Sequence, residues 1–285
     1  MKAGSAMAGD IYAEIVRLRA AGENAALATI VQVRGSIPTF ETAKLLIRPD
    51  GTLLGTIGGG CVEAEVWQAA RELLAEATPK PRRLVFHLNH DAAEDTGLIC
   101  GGTLEIFLEP VLAPPRLILF GAGHVSRAIA AAAGAAGFIS AVCDDRPQFV
   151  TAERFPAAEL HAGPYEEQFP ALRAGANAYI VIATRGHRDD LRILEWAAGT
   201  QAKYIGMIGS KRKVISTYKE LLRRGVAAET LARVYAPMGL AIGAVTPEEI
   251  AVAVVAEMIA VRRGATTAHM KLGQIPVPAA AETAP

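Results

Sequence analysis

The stretch Arg116-Leu-Ile-Leu-Phe-Gly121-Ala-Gly123-His-Val-Ser126 decides the fold of the larger half of this chain. It predicts a short apolar strand that ends at a glycine turn, followed by an alanine-rich helix over residues 123–137. A Gly-x-Gly-x-x-small pattern in this context is typical of a dinucleotide-binding turn. Gly121 would make the tight turn and Gly123 would let the backbone approach a phosphate. The helix start adds unpaired amides and partial positive charge.

Strands and helices alternate through the rest of this half. Apolar segments at residues 139–143, 178–184 and 203–208 predict further strands, and helices are expected over residues 210–224 and 247–263. Alternation of this kind implies a parallel sheet. The predicted fold class is therefore α/β, with a Rossmann-like, doubly wound parallel-sheet domain over residues 116–264.

Acidic residues follow the second predicted strand. Asp144 and Asp145 follow the glycine turn at about the distance in sequence where an acidic residue binds a ribose hydroxyl in such domains. Arg146 leaves binding of a 2′-phosphate possible as well. Because a fold does not fix a ligand, the sequence leaves three alternatives here: a dinucleotide, another phosphate compound, or no such ligand.

A second polar segment, Thr184-Arg-Gly-His187-Arg-Asp189, follows the predicted strand over residues 178–184. Residues in this position face the crevice at the carboxyl edge of a parallel sheet, where ligands bind. His187 and Asp189 are candidates for a metal or acid–base pair, with a helix N-cap at Asp189 as the structural alternative. The basic segment Lys211-Arg-Lys213 is either a phosphate site or a solvated helix start.

The first 112 residues predict a different architecture. A helix over residues 10–21 is followed by strands at 25–33, 44–47 and 52–57, a helix after Cys61, and strands at 84–88 and 103–109. We interpret residues 1–112 as a mixed α+β domain, joined to the Rossmann-like domain through the stiff Pro114-Pro115 linker. Residues 265–285 have no periodic core pattern and are expected to be disordered.

Two of the three cysteines lie in glycine clusters, Gly58-Gly-Gly-Cys61 and Cys100-Gly-Gly102. Glycine neighbours leave a sulfur and the nearby amides open to a bulky ligand. Cys61 falls at a predicted strand-to-helix turn, where a thiol is biased toward the reactive thiolate. It is a candidate ligand to a soft metal or a carrier of sulfur, and the alternative is a small residue in a tight turn. For Cys100 both interpretations stay open.

Composition bounds the function further. Net charge is zero, so nothing favours nonspecific binding to nucleic acid or to acidic membranes. No apolar stretch suits a membrane span, and the N-terminus lacks the apolar core of a secretory signal. Three cysteines do not suggest a disulfide framework. We therefore expect a cytoplasmic protein.

Seven sequence blocks occur in an order that is specific to one family. They are Gly55-Thr-Ile-Gly-Gly-Gly-Cys61-Val-Glu63, Cys100-Gly-Gly102, Phe120-Gly-Ala-Gly-His-Val125, Asp144-Asp-Arg-Pro147, Thr184-Arg-Gly-His-Arg-Asp189, Tyr204-Ile-Gly-Met-Ile-Gly-Ser-Lys-Arg-Lys213 and Ala236-Pro-Met-Gly-Leu-Ala-Ile-Gly-Ala-Val-Thr-Pro-Glu-Glu-Ile-Ala251. In these blocks the chain resembles the XdhC/CoxI family of xanthine dehydrogenase accessory proteins. The family often has His where Arg185 stands, which weakens any metal site in that segment.

The resemblance implies a maturation factor for molybdenum hydroxylases more than a catalyst. Members of the family are understood to bind the molybdenum cofactor, a molybdopterin, and to protect it while a cysteine desulfurase installs the terminal sulfido ligand. They then pass it to a xanthine or aldehyde dehydrogenase-type apoenzyme. Amide-rich glycine turns suit the phosphate of this cofactor, and soft thiols suit its metal. A homodimer is compatible with the sequence.

On this interpretation Cys61 is the first candidate to contact molybdenum or its sulfido group, and Cys100 is the second. Asp144 would contact a sugar or pterin hydroxyl. We expect a cleft between the two domains, with thiols on one wall and phosphate-binding amides on the other. The candidate cofactor-binding residues are Gly59, Gly60, Cys61, Cys100, Gly101, Gly102, Gly121, Gly123, His124, Val125, Ser126, Asp144, Asp145 and His187.

Two other functions remain open from the sequence. An NAD(P)-dependent oxidoreductase would use the turn at Gly121 for its cofactor, with His124 or His187 as the proton donor. A sulfurtransferase would carry a persulfide on Cys61.

Overall fold

The computed structural model describes residues 10–35, 37, 39–76, 78–88 and 102–266. Its first half contains α1 (Ile11–Ala21), β1 (Ala25–Gly35), β2 (Lys44–Ile47), β3 (Leu53–Gly55), α2 (Gly60–Ala75), β4 (Arg82–Leu88) and β5 (Gly102–Val111). Its second half contains β6 (Arg116–Phe120), α3 (His124–Ala135), β7 (Ile139–Asp144), β8 (Glu159–Ala162), α4 (Tyr165–Gln168), β9 (Ala178–Ile182), α5 (His187–Ala198), β10 (Tyr204–Met207), α6 (Lys211–Arg223), α7 (Ala228–Leu231), β11 (Val234–Tyr235) and α8 (Pro247–Arg263).

The first half forms a five-stranded sheet in the order β3-β2-β1-β5-β4. All its pairings are antiparallel, with Ala26 opposite Ile47 and Ile30 opposite Ile106. One face of the sheet packs against α2, which buries a stripe at helical spacing, namely Val62, Val66, Ala70 and Leu73. The other face is partly covered by α1 through Leu18. Separate elements on the two faces make this the mixed α+β unit that the sequence predicts.

The second half forms a six-stranded parallel sheet in the order β11-β10-β9-β6-β7-β8. Because β6 and β9 are neighbours although they are not consecutive, the strand order reverses between them, and ligands bind at such a point in doubly wound sheets. α3 and α8 cover one face of the sheet, and α5 and α6 cover the other. The predicted α/β class with a Rossmann-like parallel sheet is confirmed.

Two short edge strands are absent from the sequence prediction. β8 and β11 have four and two residues, and each lies at an edge of the parallel sheet. Neither carries the run of buried apolar residues found in a central strand such as β9. Their pairing depends on a neighbouring strand that is distant in the sequence, so local pattern gives little indication of them.

Contacts between the two halves lie at the amino edge of the parallel sheet. The Asn24 side chain accepts a hydrogen bond from the Ala113 amide at 2.9 Å, and the Asn177 side chain donates to the Ala113 carbonyl at 3.0 Å. Arg173 donates to the Ala21 carbonyl at 3.2 Å. The segments that follow α2 and α8 also approach each other, since a Cβ on Gly264 would lie 3.3 Å from the Thr78 hydroxyl.

Among the helices that the structure describes, none combines the length and apolarity required to cross a bilayer.

The close approach of Gly121 to β9 predicts a specific loss of stability. A Cβ at this position would lie 2.3 Å from the Ala183 carbonyl oxygen, and φ is +101°. We expect Gly121→Ala to lower the free energy of unfolding by at least about 2 kcal/mol in urea denaturation. Gly123→Ala is the matched control, because a Cβ there meets nothing within 4 Å. It should cost less than about 1 kcal/mol, and equal losses would contradict the assignment.

Candidate functional site

Residues 56–61, here called the thiol turn, connect β3 to α2. Gly58, Gly59 and Gly60 have φ values of 118°, 79° and 69°. Three successive positive φ values are accessible to glycine and unfavourable for residues with a Cβ. The turn places Cys61 as the second residue of α2, half-buried. The predicted strand-to-helix position of Cys61 is therefore observed, and the glycines are required by the backbone itself.

Glu63 bonds to two amides and one hydroxyl of the thiol turn. Oε1 of Glu63 accepts hydrogen bonds from the Thr56 hydroxyl at 2.6 Å, the Ile57 amide at 3.1 Å and the Gly59 amide at 3.0 Å. The glycine cluster predicts open amides here and gives no role to Glu63. A glutamate in the first turn of a helix, reaching back to the residues before it, is the signal that was available.

The glycines near the two cysteines have different surroundings. A Cβ on Gly59 would meet nothing within 4 Å, so this side of the thiol turn is open to a ligand. A Cβ on Gly102 would lie 2.2 Å from the Arg34 carbonyl oxygen, so Gly102 is needed for the close pairing of β5 with β1. Cys100 and Gly101 lie outside the described residues.

The turn after β6 has the form that its sequence predicts. The Gly121 amide donates to the Cys143 carbonyl at 2.7 Å, which ties the turn to β7. Gly123 is the N-cap of α3 and has open space at its Cβ position. His124 and Val125 begin the helix, so their amides belong to its first turn. The Ser126 side chain is 1% exposed, and its hydroxyl has no hydrogen-bond partner within the part of the chain that is described.

Asp144 bonds to this turn. Its Oδ2 accepts from the Ala122 amide at 2.6 Å, and its Oδ1 accepts from the Arg146 amide and Nε at 2.9 and 2.8 Å. Burial by itself would raise the pKa of Asp144, but the hydrogen bonds from Arg146 and Ala122 outweigh it and lower the pKa. Asp145 is more exposed and accepts from the Arg185 guanidinium at 2.9 Å. In this structure Asp144 organises the turn, and Asp145 faces outward beside it.

His187 lies at the same edge of the sheet as Gly121, because Gly121 packs against the end of β9 and α5 starts just beyond it. Its Nδ1 is 3.3 Å from the Thr217 hydroxyl. The N-cap of α5 is Gly186, so the N-cap expected at Asp189 is wrong. The buried acid of this segment is Asp190, which accepts from the Thr184 hydroxyl at 2.6 Å and pairs with Lys213.

The predicted residues thus form two groups. The carboxyl edge of the parallel sheet brings together Gly121, Gly123, His124, Val125, Asp144, Asp145 and His187, which we call the crevice site. The thiol turn belongs to the other sheet. Nowhere in residues 10–35, 37, 39–76, 78–88 and 102–266 do three His, Cys, Asp or Glu side chains cluster as a metal site would require.

The expected cleft between the domains stays a prediction. α2 runs from the thiol turn toward the contact between the two halves, and that contact lies at the amino edge of the parallel sheet. The crevice site lies at the carboxyl edge of the same sheet. The thiol turn lies at the end of α2 away from this contact, and the crevice site lies at the sheet edge away from it.

Two family models match this chain. The XdhC and CoxI family matches residues 18–87, which include the thiol turn, and the XdhC Rossmann domain matches residues 117–258, which include the crevice site. The chain belongs to the XdhC/CoxI family, as its sequence blocks predict.

The chain is also similar to three bacterial proteins. Uncharacterized protein YqeB of Escherichia coli K12 is 37% identical over 90% of this chain and 47% of its own length. The chain thus spans about half of that relative. A probable xanthine dehydrogenase subunit of Bacillus subtilis 168 is 27% identical over 85% of this chain and 94% of its own length. The molybdenum cofactor insertion chaperone PaoD of Escherichia coli K12 is 22% identical over 85% of this chain and 84% of its own length.

The bonds to Glu63 predict that its removal loosens the thiol turn. We expect Glu63→Ala to lower the free energy of unfolding by about 1–3 kcal/mol, because three donors lose a charged acceptor. The rate of Cys61 alkylation by iodoacetamide should change with it. Glu65→Ala, on the exposed face of the same helix, is the matched control. Equal behaviour of the two variants in urea denaturation and alkylation would contradict this role of Glu63.

The lowered pKa of Asp144 predicts a pH-dependent effect. The folded state favours the carboxylate, so its stabilisation is present at neutral pH and is lost as the pH falls through the folded pKa. The melting temperature of Asp144→Asn should therefore lie furthest below that of the wild type near about pH 7. The difference should shrink below about pH 4. Asp145→Asn is the control, and a difference independent of pH would argue against a charged Asp144.

Proposed function

We propose that this protein binds the molybdenum cofactor during its maturation and delivers it to a xanthine or aldehyde dehydrogenase-type apoenzyme. Membership of the XdhC/CoxI family supports a maturation role, and a relative named as a molybdenum cofactor insertion chaperone supports the cargo. The structural observation that carries the proposal is the thiol turn. It presents a half-buried cysteine beside a glycine whose Cβ position is open.

The residues present suit the chemistry of this cargo. A thiol is a soft ligand, which matches a metal held by sulfur. The start of α3 offers backbone amides and partial positive charge, which match a phosphate, and Gly123 leaves room for it. The bound cofactor supplies the redox-active molybdenum that the apoenzyme lacks. The chain itself supplies binding, orientation and exclusion of water.

Hydrogen bonds within the chain fix the conformation of both turns. Glu63 holds the thiol turn through three hydrogen bonds, so Cys61 needs little reordering on binding. Asp144 holds the turn at Ala122 in the same way. Preorganised sites of this kind lose less conformational entropy when a ligand binds. A cysteine desulfurase would be the source of the terminal sulfur, and Cys61 would lie beside the atom that receives it.

The internal bonds of Asp144 also bear on the NAD(P)-dependent alternative. In a dinucleotide site this acid would meet the ribose hydroxyl, but here both of its oxygens already accept bonds from Ala122 and Arg146. These bonds disfavour a ribose hydroxyl at Asp144, and they disfavour the expected contact of Asp144 with a sugar or pterin hydroxyl in the same way. Difference spectroscopy with NADPH and with purified molybdenum cofactor separates the two functions. Tight NADPH binding without affinity for the cofactor would overturn our proposal.

Co-purification provides the main test of the proposed function. Protein isolated without oxygen should carry molybdenum and pterin, and Cys61→Ser should lose at least about tenfold of both, since a hydroxyl is a poor ligand for a soft metal. Metal analysis and pterin fluorescence measure the two. Cys143→Ala is the matched control, because its thiol is buried in the core of the second half, and the variant keeps the backbone carbonyl that bonds to Gly121. Wild-type protein without molybdenum and pterin would refute the proposal, and so would equal content in the two variants.

A persulfide on Cys61 is the remaining alternative. Incubation with a cysteine desulfurase and cysteine, followed by mass spectrometry of the peptide containing Cys61, detects it. A persulfide in protein that carries no pterin would favour the sulfurtransferase function.

A further inference from the structure

A pocket lies where the end of α1 meets the amino edge of the parallel sheet. It is lined by Arg116, Ile139 and Ala178, the first residues of β6, β7 and β9, which are neighbours in the sheet. The last turn of α1 and the segment before β9 line its other sides. Its volume is about 230 Å³, below the roughly 300–1,000 Å³ of pockets for drug-sized ligands, so it suits a small molecule.

This pocket, here called the arginine pocket, is positively charged. Among the described residues, the charged side chains that line it are all arginines, namely Arg19, Arg116 and Arg173. Arg116 forms an ion pair with Glu159, so an acid balances its charge. Arg173 donates to the Ala21 carbonyl at 3.2 Å. The Arg19 side chain has no hydrogen bond or ion pair within the part of the chain that the structure describes.

The end of α1 balances only part of this charge. The C-terminus of a helix carries about half an elementary negative charge, whereas Arg19 and Arg173 carry one positive charge each. An excess of about one and a half positive charges therefore remains in a small space. Like charges held this close repel each other, and a bound anion removes that repulsion. Guanidinium groups match the geometry of phosphate oxygens especially well.

Neutral groups of the lining suit the two parts of a phosphate ester. The backbone amides of Gly175 and Ala176 have no acceptor among the described residues, so they can donate to phosphate oxygens. Ile139 lines the same pocket and is 47% exposed, although it is the first residue of a strand that is otherwise buried. An apolar side chain beside these cations gives the carbon part of an ester a surface to cover.

We propose that the arginine pocket binds a small phosphate monoester, with Arg19 and Arg173 on the phosphate group and Ile139 against the carbon part. This site goes beyond the proposed function, because it lies at the edge of the parallel sheet opposite the crevice site. β6 separates the two edges by about 13 Å from Arg116 to Phe120. The ligand contacts Arg19 from the first half and Arg173 from the second, so its binding stabilises the contact between them.

Chemical modification tests the site in the wild-type protein. Phenylglyoxal reacts with accessible guanidinium groups, and mass spectrometry of the peptides gives the rate at each arginine. Saturating inorganic phosphate should slow the modification of Arg19 at least about fivefold relative to potassium chloride at equal ionic strength. Arg17, 58% exposed on the same helix and outside the pocket lining, is the internal control and should change less than about twofold. Equal protection of the two arginines would overturn the proposal.

Calorimetry tests the role of Arg19 in binding. Because the start of α3 also suits phosphate, the titrations use protein with Gly123→Asp. Gly123 is an N-cap with φ −73° and ψ −171°, where aspartate is favoured, and its carboxylate would bond the amides at that helix start. In this background Arg19→Gln should weaken the binding of inorganic phosphate at least about tenfold, and the control Arg17→Gln less than about threefold. Equal affinities in the two variants, or no phosphate binding in the Gly123→Asp protein, would refute the site.

A comparison of two ligands tests the contact with Ile139. In the same background, phenyl phosphate should bind at least about fivefold more tightly than inorganic phosphate, because its ring covers apolar surface. Ile139→Thr should remove most of this advantage. Ile215→Thr, at a residue 56% exposed on α6, is the matched control and should keep it. Phenyl phosphate that binds no more tightly than inorganic phosphate would contradict a monoester site, and so would an advantage that survives Ile139→Thr.

Discussion

Backbone amides in a turn need hydrogen-bond acceptors, and a carboxylate side chain provides one at the thiol turn and at the turn after β6. At the thiol turn the acceptor is Glu63, and at the turn after β6 it is Asp144, 2.6 Å from the Ala122 amide. These bonds fix backbone conformations that glycine alone would leave free. Gly59 and Gly123 still face open space, so each turn is both ordered and accessible.

The two turns therefore suit different parts of a ligand. The thiol turn already contains a carboxylate at its amides, so it is better suited to the metal and sulfur end of a ligand than to a phosphate. The start of α3 keeps the partial positive charge of a helix N-terminus, and its N-cap has no side chain. The two halves meet at the amino edge of the parallel sheet, away from the start of α3.

The sequence was informative wherever local chemistry controls structure. α8 begins and ends where the sequence predicts, and the structure adds a capping box at its start between Thr246 and Glu249. The strand over Arg116–Phe120 and its glycine turn are also as predicted. The misses have a common cause. The edge strand β8, the buried Asp190 and the bonds to Glu63 depend on neighbours that pattern alone does not identify.

Local sequence by itself determined the element types, the two glycine turns and the position of Cys61 at a helix start, because periodicity and glycine's backbone freedom act over a few residues. The family followed from the same blocks. Only the tertiary structure decided that Asp144 bonds to its own turn and that the two halves meet at Asn24, Ala113 and Asn177. These contacts join residues that are distant in the sequence. They depend on packing and on hydrogen-bond satisfaction across the whole chain, which local patterns do not encode.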